Sequence, residues 1–247
     1  MKTVFQMSLL LFWMTMAAAT ALFAQTDNDR LNRIDAKLMP ESYESYRRLI
    51  DEYPDGKKKE FTVFSVKKGL DKVALLFLAP ASEKGRTTLR LGENMWLYIP
   101  NVGKPIRITS LQSVTGGVFN NSDIMQVDYS AEYDVLGSEN SDRGYLLELK
   151  AKDKTVAYDK LKMWAGQDDV VIKIECYAAS GMLIKTLDFK EPKDFGNGLL
   201  RPSVIETYSP LYKGYRSSMV FLQIKSREFK DEVFTMNYMS RIETLRK

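Results

Sequence analysis

Residues 94–108 read N-M-W-L-Y-I-P-N-V-G-K-P-I-R-I, two β-rich runs around a loop with two prolines and a glycine. A half-buried strand alternates apolar and polar residues. Met95, Trp96, Leu97, Tyr98 and Ile99 do not. The residues before them, T-T-L-R-L followed by Gly92-Glu93, make this run the second arm of a hairpin. With a two-residue turn, Leu91 faces Asn94 and Leu89 faces Trp96. Leu89, Leu91, Trp96 and Tyr98 then share one face, and Met95 and Leu97 lie on the other. The run V-A-L-L-F-L (Val73–Leu78) likewise has no polar side. Either both faces of this sheet are covered, or one of them holds an apolar ligand.

Working outward, the pattern stays β. Residues 43–53 and 58–67 flank Pro54-Asp55-Gly56 and read as a hairpin. Alternating runs follow at Tyr133–Leu136, Gly144–Ala151, Tyr158–Trp164, Val170–Tyr177, Met182–Phe189, Leu200–Tyr208 and Tyr215–Lys225. Ser180-Gly181 and Gly196-Asn197-Gly198 mark turns between them. About a dozen strands joined by short loops, with no βαβ spacing, predict a mainly β fold. A single antiparallel barrel or strongly curved sheet fits that order. Two segments break it. Leu31, Ile34 and Leu38 recur at helical spacing behind Thr26, Asp27 and Asp29, predicting a short amphipathic helix that ends before Pro40. Residues 110–122 lose strand periodicity, and Asp123 is positioned to cap a short helix. The tail E-V-F-T-M-N-Y-M is apolar enough to dock on the body.

The first 24 residues form a separate unit. Lys2, an apolar stretch from Val4 to Met16, and the small residues Ala17 to Ala21 have the pattern of a secretory signal peptide. Its removal deletes one charge and takes the net charge from +4 to +3. That value is too mild for a nucleic-acid-binding face. An exported, soluble domain over 25–247 is the expectation. The lone Cys176 sits in an apolar run and reads as a small buried hydrophobe.

The inventory of reactive side chains is thin. Histidine is absent, which removes Ser-His-Asp and Cys-His machinery, and one cysteine cannot assemble a zinc site of several Cys and His ligands. Gly116-Gly117 lacks the context of a phosphate-binding loop. Asp51-Glu52 and Asp168-Asp169 put neighbouring carboxylates on opposite faces, and both pairs read as lying in turns or on solvated edges, while Lys57-Lys58-Lys59 reads as a solvated hairpin tip. The expectation is no catalytic residue, metal or cofactor.

An ordered series of segments carries a resemblance: L-F-L-A-P, K-G, L-R-L-G-E-N-M-W-L-Y-I-P, K-P-I-R-I and S-D, then Y-L-L-E-L, V-A-Y-D-K-L-K-M-W, I-K-I-E-C-Y-A-A-S-G-M-L-I-K-T-L and F-T-M-N-Y. From about Asp29 to Arg241 the chain resembles the LolA-like outer-membrane lipoprotein-sorting family. The resemblance implies an unclosed antiparallel β-barrel with a helical lid over an apolar concave side. It implies a carrier of acylated lipoproteins or related lipids, working with inner-membrane release and outer-membrane acceptor proteins. An envelope-stress sensor or adaptor that binds a protein partner is the alternative on the same scaffold. Leu76, Leu78, Leu89, Leu91, Trp96 and Tyr98 are then the expected cavity wall. Leu31, Ile34 and Leu38, with Val118, Phe119, Ile124 and Met125, are the expected lid. An arginine tying barrel to lid is implied too, with Lys68, Arg86, Arg90 and Arg107 in plausible regions. After Ser122-Asp123 the residues Ile124 to Val127 depart from the usual aromatic and acidic continuation, so lid shape or partner differs.

Overall fold

The runs read as strands pair into one sheet. The computed structural model describes residues 27–113 and 115–246, so the leader expected over residues 1–24 lies outside the described residues. Helix α1 covers 27–38. The strands are β1 (Ser42–Glu52), β2 (Lys58–Lys68), β3 (Lys72–Ala79), β4 (Thr87–Leu91), β5 (Asn94–Tyr98) and β6 (Ile106–Ile108). After two one-turn helices, α2 (Asn121–Ile124) and α3 (Tyr129–Glu132), come β7 (Tyr133–Ser141), β8 (Gly144–Ala151), β9 (Lys160–Ala165) and β10 (Val171–Tyr177). The last three are β11 (Leu183–Asp194), β12 (Leu200–Tyr208) and β13 (Arg216–Ser226).

These elements form a 13-stranded sheet in the order β6-β5-β4-β3-β2-β1-β13-β12-β11-β10-β9-β8-β7. Every pairing is antiparallel, and β13 returns to bond β1, joining the two halves. The two edges, β6 and β7, are consecutive in the chain but lie at opposite ends of the sheet. Their connection therefore has to cross from one edge to the other. It does so over the concave side, carrying α2 and α3, and this crossing is the lid of an unclosed barrel. Asp123 is not the cap expected of it: Asn120 takes that place, with Asp123 as its reciprocal partner three residues on.

Two apolar layers form, one on each side of the sheet. The concave layer joins Leu49, Val63, Leu75, Leu147, Leu161 and Ile205 to α1 and the lid. The convex layer contains Phe64, Val66, Ala74, Leu76 and Leu89, covered by Phe229, Val233, Phe234, Met239 and Ile242. That cover is the tail, folded as two 3-10 segments, Asp231–Phe234 and Met236–Leu245. Phe234 is buried and packs edge-on to Phe229 at 6.3 Å between ring centroids. Phe234→Ala is expected to lower unfolding stability by roughly 3 kcal/mol, read from the urea midpoint, because the tail cannot refill the space.

The opening hairpin has the register read from its turn: Leu91 opposite Asn94 and Leu89 opposite Trp96. Gly92 makes the turn possible with φ of +56°.

Candidate functional site

The lid is built from pieces too short to satisfy themselves. A four-residue helix has no interior, so its end groups need partners from outside. The barrel and α1 supply them. Arg47 of β1 donates to the Ile124 carbonyl at 2.8 Å. Arg90 of β4 donates to the Met125 carbonyl at 3.0 Å and pairs with Glu132 of α3. At the other end of α3, the amides of Tyr129 and Ser130 donate to the carboxylate of Asp35 on α1, at 2.8 and 2.9 Å. Arg201 of β12 donates to the Leu38 carbonyl and so holds the end of α1.

Two buried ion pairs add to this. Lys185 of β11 meets Asp123 at 2.8 Å, and Lys67 of β2 meets Asp128 at 2.9 Å. Tyr158 donates its hydroxyl to Asp123 at 2.8 Å and accepts from the Asn120 amide at 2.8 Å, completing a closed polar network under α2. The lid root is held by Ser217, which accepts from the Val118 amide at 2.8 Å and donates to Asp51 at 2.5 Å. Asp51 is 1% exposed. The expectation that it sits on a solvated edge is corrected: its side chain points under the lid.

Beneath the lid the concave face has closed on itself. The space left there measures about 30 Å³, between Phe119 and Val127 of the lid and Tyr133, Leu161, Ile205 and Met219 of the wall. That is room for one or two waters, far below the roughly 300–1,000 Å³ of a ligand pocket. An open cleft of about 440 Å³ lies on the other side of the same segment, lined by Leu70, Arg90, Gly92 and Lys152, and it shares Val127 and Glu132 with the cavity. Movement of residues 127–132 would join the two spaces. Cys176 is buried in the cavity wall, and burial pushes its thiol pKa up, so it behaves as a hydrophobe.

Burial also shifts the acids at the lid. Asp35 is pushed up to about 6, mainly by loss of solvent, against the lowering effect of the Ser130 and Tyr129 amides. Burial raises Glu132 and Asp128 as well, opposed by Arg90 and Lys67 respectively. For Asp35 the folded value lies above the unfolded 3.8, so the folded protein binds more protons between those values. Stability from this group is thus full below about pH 4 and falls as pH rises to about 6, by at most roughly 3 kcal/mol. Asp35→Asn is expected to remove that slope. The difference between variant and parent urea midpoints should move in favour of the variant from pH 4 to 6 and stay constant above it.

The residues expected to line the cavity lie elsewhere. Leu76 and Leu89 belong to the convex layer, and Leu78, Leu91, Trp96 and Tyr98 pack against it beneath the tail. The shared face was read correctly and its side was not. The hairpin's other face, with Thr88, Arg90, Met95 and Leu97, turns toward the lid. The expected lid residues do gather on the concave layer: Leu31, Ile34 and Leu38 from α1, and Phe119, Ile124 and Met125 from the crossing segment. Val118 is buried beside them. Of the four basic residues proposed for the tie, Arg90 makes it. Arg47, Arg201, Lys67 and Lys185 were missed, although β1 alternation already places Arg47 on the face of Tyr43 and Leu49.

A strongly curved, unclosed antiparallel sheet with a lid latched over an apolar concave face defines the LolA-like class. A family model described as "Uncharacterized protein" matches residues 69–241, more than half of the chain, and the chain belongs to that family. The fold matches a LolA superfamily protein from Nitrosomonas europaea at 28% identity and TM-score 0.77, over 87% of this chain and 99% of that one. It also matches a DUF1329 family protein from Desulfovibrio piger at 21% identity and TM-score 0.75, over 88% and 99% of the two chains. An outer membrane lipoprotein-sorting protein domain from Vibrio parahaemolyticus aligns at 18% identity and TM-score 0.72, over 88% and 100%. At these identities the last two speak for the fold alone. Among curated proteins none matches.

Proposed function

We propose that residues 25–247 form a carrier that shelters acyl chains of lipoproteins or related lipids between the lid and the concave face, with no covalent chemistry. One observation carries this reading: an apolar concave face is held shut by polar latches over a cavity too small to be a resident ligand site. A permanently packed core has no need of five cations beneath its cover. Each CH₂ withdrawn from water contributes about 0.8 kcal/mol, so a long chain can compensate for the latches it displaces. On this reading the protein acts in the periplasm, receiving cargo from an inner-membrane release protein and passing it to an outer-membrane acceptor.

The test is uptake of a fluorescent fatty acid, together with native mass spectrometry of gently purified protein. Saturable uptake or co-purified acylated cargo supports the carrier. No uptake and no lipid mass would end it. An adaptor reading draws on a different feature: β6 is a three-residue edge strand bonded on one side only, with Ile106 exposed. Such an edge can receive a strand from a protein partner. A stable protein complex recovered without lipid, and lost on Ile108→Pro, would favour it.

A further inference from the structure

Two cations under the lid lack anions. Among the described residues Lys67, Arg90 and Lys185 each have a carboxylate partner. Arg47 and Arg201 have none, although they are only 5% and 1% exposed. Both guanidinium groups lie over the ring of Phe221, with Cζ at 5.6 and 4.0 Å from its centroid. Each spends one NH group on a carbonyl of a covering element, Ile124 for Arg47 and Leu38 for Arg201. Each also keeps a buried donor without a partner, Nε of Arg47 and one terminal NH₂ of Arg201. Burial lowers both pKa values from the ordinary arginine value, Arg201 to about 10, and a guanidinium inside a protein keeps its charge.

We propose that Arg47 and Arg201 together form the headgroup site of an anionic lipid, taking its carboxylate or phosphate in place of the Ile124 and Leu38 carbonyls. The proposal rests on the carrier reading and narrows its cargo from any acyl chain to one ending in an anion. Position supports it: Arg47 also lies 3.2 Å from the sulfur of Met219, and Met219 lines the cavity that the chain would fill. Chemistry supports it too. A guanidinium fork matches carboxylate and phosphate. A carboxylate or phosphate can take two parallel N–H bonds from one guanidinium and also neutralises its charge, which a single carbonyl does not. Leaving a buried charge without a counter-ion is costly. The exchange would free the end of α1 and the end of α2 together, so binding of the headgroup is also the step that loosens the cover.

The experiment compares oleate, methyl oleate and oleyl alcohol as ligands of the full chain at about pH 8.5, where the acid is ionised. Lysophosphatidate against monoolein asks the same question of a phosphate headgroup, and inorganic phosphate and acetate report a free anion. Wild-type protein should bind oleate about tenfold more tightly than either neutral ligand. Arg201→Gln should bring oleate to the level of the alcohol, and Arg201→Lys should keep part of the preference. Equal wild-type affinity for oleate and oleyl alcohol overturns the proposal and leaves the carrier standing. Binding of phosphate or acetate as tight as that of the lipids also overturns it. Binding of no oleyl ligand ends both. The wild-type comparison decides even if the variants fail to fold.

Discussion

Asp123→Ala is expected to open the lid. The substitution leaves the Lys185 ammonium buried without its carboxylate, removes the acceptor of the Tyr158 hydroxyl and deletes half of the capping box at Asn120. Removing one partner of a buried pair typically costs 3–5 kcal/mol. The sheet does not need to bear that loss, because Lys185 regains water once the crossing segment lifts. The expected result is therefore local: amide protection over residues 118–132 falls by roughly two orders of magnitude or more, while β8 to β12 exchange as before. Acyl-probe affinity should rise at the same time, since less of the protein is held in the closed, non-binding state. Unchanged exchange over 118–132 would show that the ion pair does not hold the lid.

The second large effect is expected at Gly117. A Cβ there would lie 1.8 Å from Oδ1 and 2.2 Å from Cγ of Asp51, and 2.6 Å from Oγ of Ser217. Both neighbours are fully buried and bonded to each other, and Ser217 also holds the Val118 amide. They have nowhere to move. Gly117→Ala should therefore destabilise the closed protein by roughly 1–3 kcal/mol through overpacking, with loss of protection beginning at Val118. Gly137→Ala is the matched control: its added methyl meets nothing within 4 Å, and its effect should stay within about 0.5 kcal/mol. Equal effects at the two glycines would contradict the close approach described at the lid root.

The local geometry of the hairpin was legible because a two-residue turn at Gly92-Glu93 fixes register without help from the rest of the chain. Its side was not. The cover of Trp96 and Tyr98 is the tail, more than a hundred residues further on, and no periodicity within β5 refers to it. The usual rule also pointed the wrong way. Thr88 and Arg90 look like the solvent side of β4, yet both are buried, and Arg90 supplies a donor to the carbonyl at the end of α2. Arg47 answers the same need at the Ile124 carbonyl, while Lys67 and Lys185 neutralise the lid carboxylates Asp128 and Asp123, and a hydrophobicity pattern sends all three to the surface. The crossing segment showed as a loss of alternation over 110–122 and α1 as a helical spacing, while their role as a cover came from the family resemblance alone. The partners of both come from strands distant in sequence, and only the fold brings them together.

The central claim is that acyl chains enter between the lid and the concave face. It is tested most directly by loading the protein with a fatty acid carrying a photoreactive diazirine near its chain end, irradiating, and mapping the labelled peptides. The account predicts labels on the lid around Phe119 and Val127, and on the wall around Tyr133, Leu161, Ile205 and Met219. Labels confined to Leu89, Trp96, Tyr98 and the tail would place the lipid on the convex face and contradict it, and so would the absence of saturable labelling.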